Sequence, residues 1–219
     1  MNVVLFGSTG MIGQGVLREC LLDPGVKRVL TVNRRPSGKS DPKLREIVHP
    51  DLFNLAPIEN ELVGLDACFY CLGVTSVGMS EPEYTRITYE LTMSIAETLV
   101  RLNPNMTFIF VSGAGTDSTE QKGAMWARVK GKAENGLLKL PFRAAYVFRP
   151  GALIPMHGIR SSTPMYNTMY AVLRPLVPLV RLISPNMFST TEQMGRAMVA
   201  VARAGYPKRI LEMPDIRTF

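Results

Sequence analysis

The sequence predicts an α/β fold, a doubly wound parallel sheet with a small, mostly helical C-terminal lobe. Three observations predict it. Short apolar runs alternate with helical patterns along the first 150 residues. Glycine-marked turns follow the ends of several of those runs. The chain also opens on strand, glycine turn and helix, in Val3-Val4-Leu5-Phe6-Gly7-Ser8-Thr9-Gly10-Met11-Ile12-Gly13-Gln14-Gly15. A length of 219 residues, 46% hydrophobic and 20% charged, fits one domain. We divide it into a core over 1–155 and a lobe over 156–219 that completes the same domain.

Each glycine of the opening turn has a physical reason. Gly7 lets the chain leave the strand sharply. Gly10 removes a side chain where a pyrophosphate must approach the backbone, and Gly13 lets the helix lie close. The helix N-terminus offers N–H groups and partial positive charge to phosphates. Dinucleotide binding is therefore expected at Gly7, Ser8, Thr9, Gly10, Met11, Ile12 and Gly13. After a stop at Asp23-Pro24-Gly25, Val26 to Val32 reads as a second strand ending in Asn33-Arg34-Arg35. An acidic residue at this place would take the ribose hydroxyls of NAD, whereas arginine accommodates the 2′-phosphate of NADP. Arg34 and Arg35 predict a preference for NADP(H) over NAD(H).

Leu44 to His49 and Leu65 to Leu72 give two more strands. Ser80 with Glu83 forms a capping box that opens a helix through Leu102. Ile87, Leu91, Ile95 and Leu99 recur every four residues and are expected to face a core. Thr107 to Val111 is a fifth strand, Ala124 to Leu140 a helix, and Ala144 to Phe148 a sixth strand. Ser189 with Glu192 is expected to cap a last helix ending near Gly205. In such sheets ligands bind at the carboxyl ends of the strands.

Composition narrows the function classes. The net charge is +7, but many positive charges cluster between Lys27 and Arg45 beside the expected cofactor site, which argues against nucleic acid. Cys68 and Cys71 have CxxC spacing, yet residues three apart in a strand face opposite ways, so we expect core thiols. Three cysteines and no apparent targeting segment predict a reducing, cytoplasmic location. With His49 and His157 the only histidines, no metal site is expected.

Gly7-xx-Gly10-xx-Gly13, Asn33-Arg34-Arg35, Leu72-Gly73, Val111-Ser112, Lys130 and Arg149-Pro150-Gly151 occur in that order. Together they resemble an atypical short-chain dehydrogenase/reductase with a Rossmann fold, most nearly the short Tat-interacting-protein-like members. The resemblance covers about two thirds of the chain. It implies Asp51 and Leu52 near the adenine, Leu72 and Gly73 along the ribose, and Pro150, Gly151 and Leu153 near the nicotinamide. It also implies a serine, a tyrosine and a lysine four residues later on one helix face. Ser112 and Lys130 match, and Lys130 would also bind the nicotinamide ribose. The tyrosine position holds Trp126, and no tyrosine lies between Tyr89 and Tyr146.

An indole N–H donates a hydrogen bond but cannot cycle a proton near neutral pH. A water held by Ser112 and Lys130, or Tyr84 or Tyr166, are the alternative proton sources. Three functions stay open: an NADPH-dependent oxidoreductase on a small apolar carbonyl, an NADPH-binding regulator acting through a protein partner, and a nucleotide-sugar epimerase or dehydratase. Pro164 to Ile183 is apolar but broken by Pro175 and Pro178 and carries Arg174 and Arg181. This argues against a spanning helix and leaves a substrate lid, a homo-oligomer face or interfacial membrane contact.

Overall fold

The computed structural model describes residues 1–159 and 188–219. The Pro164 to Ile183 stretch, with Tyr166, lies outside them. Seven parallel strands form the main sheet in the order β3-β2-β1-β4-β5-β6-β9. They are β1 (Asn2–Phe6), β2 (Arg28–Asn33), β3 (Leu44–Val48), β4 (Ala67–Tyr70), β5 (Thr107–Val111), β6 (Ala144–Arg149) and β9 (Ile210–Glu212). The order reverses between β1 and β4, which leaves a crevice at their carboxyl ends.

Alternation along the strands splits the core in two. Val3, Leu5, Phe69, Ile109 and Phe148 face one side, beneath α1 (Met11–Leu22) and α5 (Thr191–Ala204). Val4, Phe6, Cys68, Tyr70, Phe108 and Phe110 face the other, with α3 (Leu91–Leu102) and α4 (Met125–Lys139). The period-2 pattern thus supplies two apolar faces, each buried by helices. Cys68 sits in one layer and Cys71 packs against the other, and all three cysteines are free.

Two glycines let α1 and α5 touch backbone to backbone. A Cβ on Gly15 would lie 2.5 Å from the Thr191 carbonyl oxygen, and one on Gly195 would lie 2.6 Å from Glu19 Cγ. No larger residue fits either place without moving a helix.

The segment before α3 departs from the expected phase. Ser80 N–H donates to Glu83 Oε2 and starts α2 (Glu81–Thr85), as the capping box predicts. A π-helical turn over Arg86–Glu90 follows, in which Leu91 N–H reaches back to the Arg86 carbonyl. The wider turn rotates the burial pattern. Leu91, Ile95 and Leu99 are buried, but Ile87 is only half-buried, and Tyr84 and Thr88 take the inner positions.

Beyond residue 155 the described residues complete the layers of the core. The α5 helix packs on α1, and β9 joins β6 as the seventh strand. A two-stranded parallel ribbon, β7 (Ala152–Ile154) with β8 (Phe188–Thr190), precedes α5, and α6 (Met213–Ile216) follows β9. The cap of α5 differs from the expected one. Thr190, not Ser189, accepts the Gln193 N–H, while Ser189 is buried and donates to the Gln193 side chain. Gly205 closes the helix. Among the described residues no helix is long and apolar enough to cross a membrane.

Candidate dinucleotide site and substrate edge

The opening glycines do three different jobs. Gly7 has φ +81°, and a Cβ there would lie 2.7 Å from the Cys71 carbonyl, so both backbone and space require glycine. Gly13 packs against the loop itself, since its Cβ would lie 2.0 Å from the Gly7 oxygen. Gly10 is otherwise. Its backbone is extended, and its Cβ would meet nothing closer than the Gly7 oxygen at 3.4 Å. The protein's own packing leaves that space clear. Gly10 is the N-cap of α1, no side chain caps the helix, and no acidic residue stands in its first turn. The helix end therefore offers its N–H groups toward a position without a side chain, as anion sites at helix N-termini do.

Beside it lies a cleft of about 620 Å³, lined by Gly7, Thr9, Asn33, Arg34, Arg35, Leu52 and Leu72 among others. Its volume suits a dinucleotide's adenosine half. Arg34 and Arg35 are exposed on its wall, and among the described residues neither forms an ion pair. Ser8 is buried, Met11 and Ile12 are half-buried against the core, and Gly73 is exposed just past β4. Asp51 is exposed and holds its own turn, accepting the Phe53 N–H. The Leu153 side chain points into the core at 3% exposure, and its strand pairs with β8 opposite Ser189.

A second cluster sits past β5. Ser112 Oγ lies 3.1 Å from Thr116 Oγ1, which itself donates to the Gly113 carbonyl at 2.8 Å. With the threonine proton so engaged, the serine hydroxyl donates to Thr116. The loop is pinned on both sides. Ser112 and Ala114 N–H groups reach the Phe148 and Pro150 carbonyls, and Asp117 N–H reaches the Ala127 carbonyl on α4. Gly131 permits that approach, because a Cβ there would lie 1.9 Å from the Asp117 oxygen. Backbone N–H groups of Lys122 and its neighbours, with the Thr119 hydroxyl, hold the Asp117 carboxyl down at about 2.

Lys130 lies on α4 over the Phe110 ring, its Nζ 5.8 Å from the ring centre. Phe110 lies two residues before Ser112, so Lys130 sits over the carboxyl end of β5, from which the Ser112 turn follows. Burial lowers the Lys130 ammonium to about 8, against an upward pull from Glu134. Trp126, one turn earlier on the same helix face, packs near Gly115. Tyr84 is buried, 2% exposed, and burial raises its phenol, which makes it a poor proton donor to an open site.

Two networks carry no motif. Glu134, fully buried, accepts from Arg149 Nε at 3.1 Å and again from Nη2, while Arg149 also reaches Glu212 and Ser118 Oγ. Glu46 on β3 accepts from Asn33 Nδ2 at 2.8 Å and from the Ser37 N–H. Among the described residues no group of three or more metal-ligating side chains exists.

A family model described as the NAD dependent epimerase/dehydratase family matches residues 3–124. Curated relatives include a protein of Emericella nidulans named "Protein fmp52, mitochondrial", 29% identical over 159 residues. That match covers 69% of this chain and 66% of the relative, just under two thirds of its length. A second, "Protein fmp52-2, mitochondrial" of Aspergillus oryzae, is 23% identical over 98% of this chain and 95% of the relative. Among solved structures, an NAD-bound dTDP-glucose 4,6-dehydratase of Streptomyces venezuelae superposes with a TM-score of 0.67 at 15% identity, covering 97% of this chain and 75% of that one. An NAD-bound UDP-glucuronic acid 4-epimerase of Bacillus cereus gives 0.67 at 12%, with 97% and 76% covered. These likenesses show the Rossmann-type fold. The relatives' names also overturn the cytoplasmic location expected from cysteine usage, because free buried thiols are equally at home in another reducing compartment. The matched family model runs over β1 to β5, the strands whose ends build the glycine loop, the cleft and the Ser112 turn, and the chain belongs to the NAD dependent epimerase/dehydratase family.

Proposed function

We propose that this chain is an NADPH-dependent oxidoreductase of short-chain dehydrogenase/reductase type, acting on a small apolar carbonyl compound. The observation that carries the reading is the pair of uncompensated guanidinium groups, Arg34 and Arg35, on the wall of the cleft next to the glycine loop. A ribose 2′-phosphate would meet them there: β2 ends in Asn33 rather than an acid, and the Glu46 carboxylate beside it is engaged by Asn33 and the Ser37 N–H. The glycine loop and the N-terminus of α1 take the pyrophosphate, Leu52 and Leu72 flank the adenosine, and Pro150 and Gly151 border the nicotinamide end. Bound there, the cofactor supplies a hydride. Ser112 holds the substrate oxygen, turning its hydroxyl from Thr116. Lys130, with an ammonium near neutrality, holds the nicotinamide ribose and a water that delivers the proton. Trp126 fills the place of a phenol and shapes an apolar pocket.

Titration with NADPH and NADH, followed through the single tryptophan, tests the cofactor assignment. Stronger quenching at lower NADPH concentration supports it, and equal responses refute the preference. NADPH oxidation across a carbonyl panel tests turnover, and a detected activity indifferent to Lys130→Ala sinks the assignment of Lys130. Trp126 favours a second reading, an NADPH-binding regulator with a protein partner or a second copy. That reading requires an assembly state that changes with NADPH. The sugar-nucleotide epimerase or dehydratase reading needs a proton relay from the position Trp126 occupies. The relatives' names support a mitochondrial location, which fractionation of cells making the tagged full chain would check.

A further inference from the structure

We infer that Glu46, on β3, is a specificity-determining residue for the cofactor, acting through a hydrogen-bonded relay that fixes the arginine turn. The inference rests on the NADPH reading above.

The relay crosses three strands. Ser8 Oγ, in the glycine loop, donates to Asn33 Oδ1 at 2.8 Å. Asn33 Nδ2, at the end of β2, donates to Glu46 Oε1 at 2.8 Å. Ser37 N–H, at the far end of the arginine turn, donates to both Glu46 oxygens, at 3.0 and 3.1 Å. Ser8 and Asn33 are buried, at 1% and 4% exposure. The carboxylate accepts only, so it dictates which way the Asn33 amide faces. With the amide nitrogen turned to Glu46, its oxygen must face Ser8. One carboxylate thus sets both the Ser8 hydroxyl in the phosphate loop and the start of the chain after Pro36.

The segment held between Asn33 and Ser37 is Arg34-Arg35-Pro36, and all three residues line the cleft. Two long, exposed, unpaired side chains on a free turn would lose much of their affinity to ordering. Anchoring both ends of the turn removes part of that cost before the ligand arrives. Burial raises the Glu46 carboxyl, but hydrogen bonds from Ser37 and Asn33 outweigh it and keep the group ionised.

A carboxylate near a ribose has another conceivable role, accepting the 2′-hydroxyl of NAD, and the two roles predict opposite signs. Glu46→Gln removes negative charge close to an incoming phosphate, so electrostatics alone would tighten NADPH binding. A ribose acceptor would lose NADH affinity. The relay predicts the reverse of both, because glutamine presents an N–H to a neighbour that is already a donor. Glu46→Asp keeps the charge but shortens the reach, so its effect is geometric.

The experiment is calorimetric titration of the wild type and both variants with NADPH and with NADH. The expected result is a preference for NADPH in the wild type. Each variant then loses about tenfold in NADPH affinity and changes less than about threefold toward NADH. The retained NADH binding is also the control for folding. NADPH binding that is unchanged or tighter in Glu46→Gln overturns the inference, as does a loss confined to NADH. A wild type without preference overturns the cofactor reading and this inference together, whereas a preferring wild type with unaffected variants overturns this inference alone.

Discussion

Replacing Arg149 with methionine is the sharpest test of what holds the substrate edge together. Methionine keeps the aliphatic stem and removes the guanidinium. Glu134 has 0% of its surface exposed and takes two hydrogen bonds from Arg149. Breaking a buried pair from one side leaves an uncompensated charge, which costs about 3–5 kcal/mol. The Glu212 contact adds under about 1 kcal/mol, because that carboxylate is 47% exposed. For a chain of this length each kcal/mol moves Tm by roughly 2–4 °C, so a fall of about 6–20 °C is expected. Thermal melts and urea unfolding of the wild type, Arg149→Met, Glu134→Leu and the double variant measure the fall in Tm and the free-energy loss. The double variant is expected to recover most of the loss, since it removes the stranded carboxylate as well. A single variant that loses less than about 1 kcal/mol, or a double no more stable than Arg149→Met, refutes the argument.

Three further outcomes follow from the same geometry. Gly10→Ala meets no close neighbour and is expected to cost no more than about 1 kcal/mol, yet to weaken dinucleotide binding at least about tenfold. Gly13→Ala, aimed at the Gly7 oxygen, is expected to cost about 3 kcal/mol or more; thermal melts and calorimetry of the two variants separate the roles. Lys130 titrates lower in the folded chain, about 8, than when unfolded, so the unfolded state holds more protons between those values. Stability is therefore expected to rise from about pH 8 toward pH 10 by this group, a rise that Lys130→Met abolishes in urea melts across that range. Trp126→Tyr places a phenol one turn before Lys130 and is expected to raise carbonyl reduction by at least about 10²-fold; unchanged turnover would show that proton delivery does not limit the reaction.

Features encoded by neighbours in the chain are legible in the sequence alone. The β5 strand runs over the five residues its pattern marks, and the CxxC argument places Cys68 and Cys71 against opposite faces, as found. The glycine turn is legible because backbone conformation and close approach exclude side chains locally. The strands β7, β8 and β9 are three residues each, too short to show a period; β9 forms on the longer β6, and β7 and β8 form on each other. The π-helical turn hides for a related reason. Ile87 keeps the four-residue spacing, but an extra residue in one turn moves Thr88 inward, and packing of α2 and the π turn against α4 decides that.

The polar networks are illegible for a deeper reason, and it bears on how the site works. Asn33 reads in the sequence as the absence of an acid, yet the acid is present, 13 residues later on the next strand. Glu134 and Arg149 are 15 residues apart and meet only once α4 has crossed back over β6. In both cases a carboxylate from one element orients a group at a strand end on another. Residues that touch ligand can be recognised by type and spacing, because the ligand's chemistry restricts them. Residues that orient those groups answer only to the fold, and many solutions serve equally well. Ser112 illustrates the point within four residues: its proton belongs to Thr116 only because Thr116 is spent on Gly113. In the proposed reaction the hydroxyl rotates away from Thr116 to meet a substrate oxygen. Thr116→Val removes that partner without touching the substrate edge. Carbonyl reduction is then expected to change in KM by less than about threefold while kcat falls about tenfold or less, the loss of one hydrogen bond that poises the serine. Steady-state kinetics at saturating NADPH measure both, and a rise in KM with kcat unchanged would place Ser112 in binding alone.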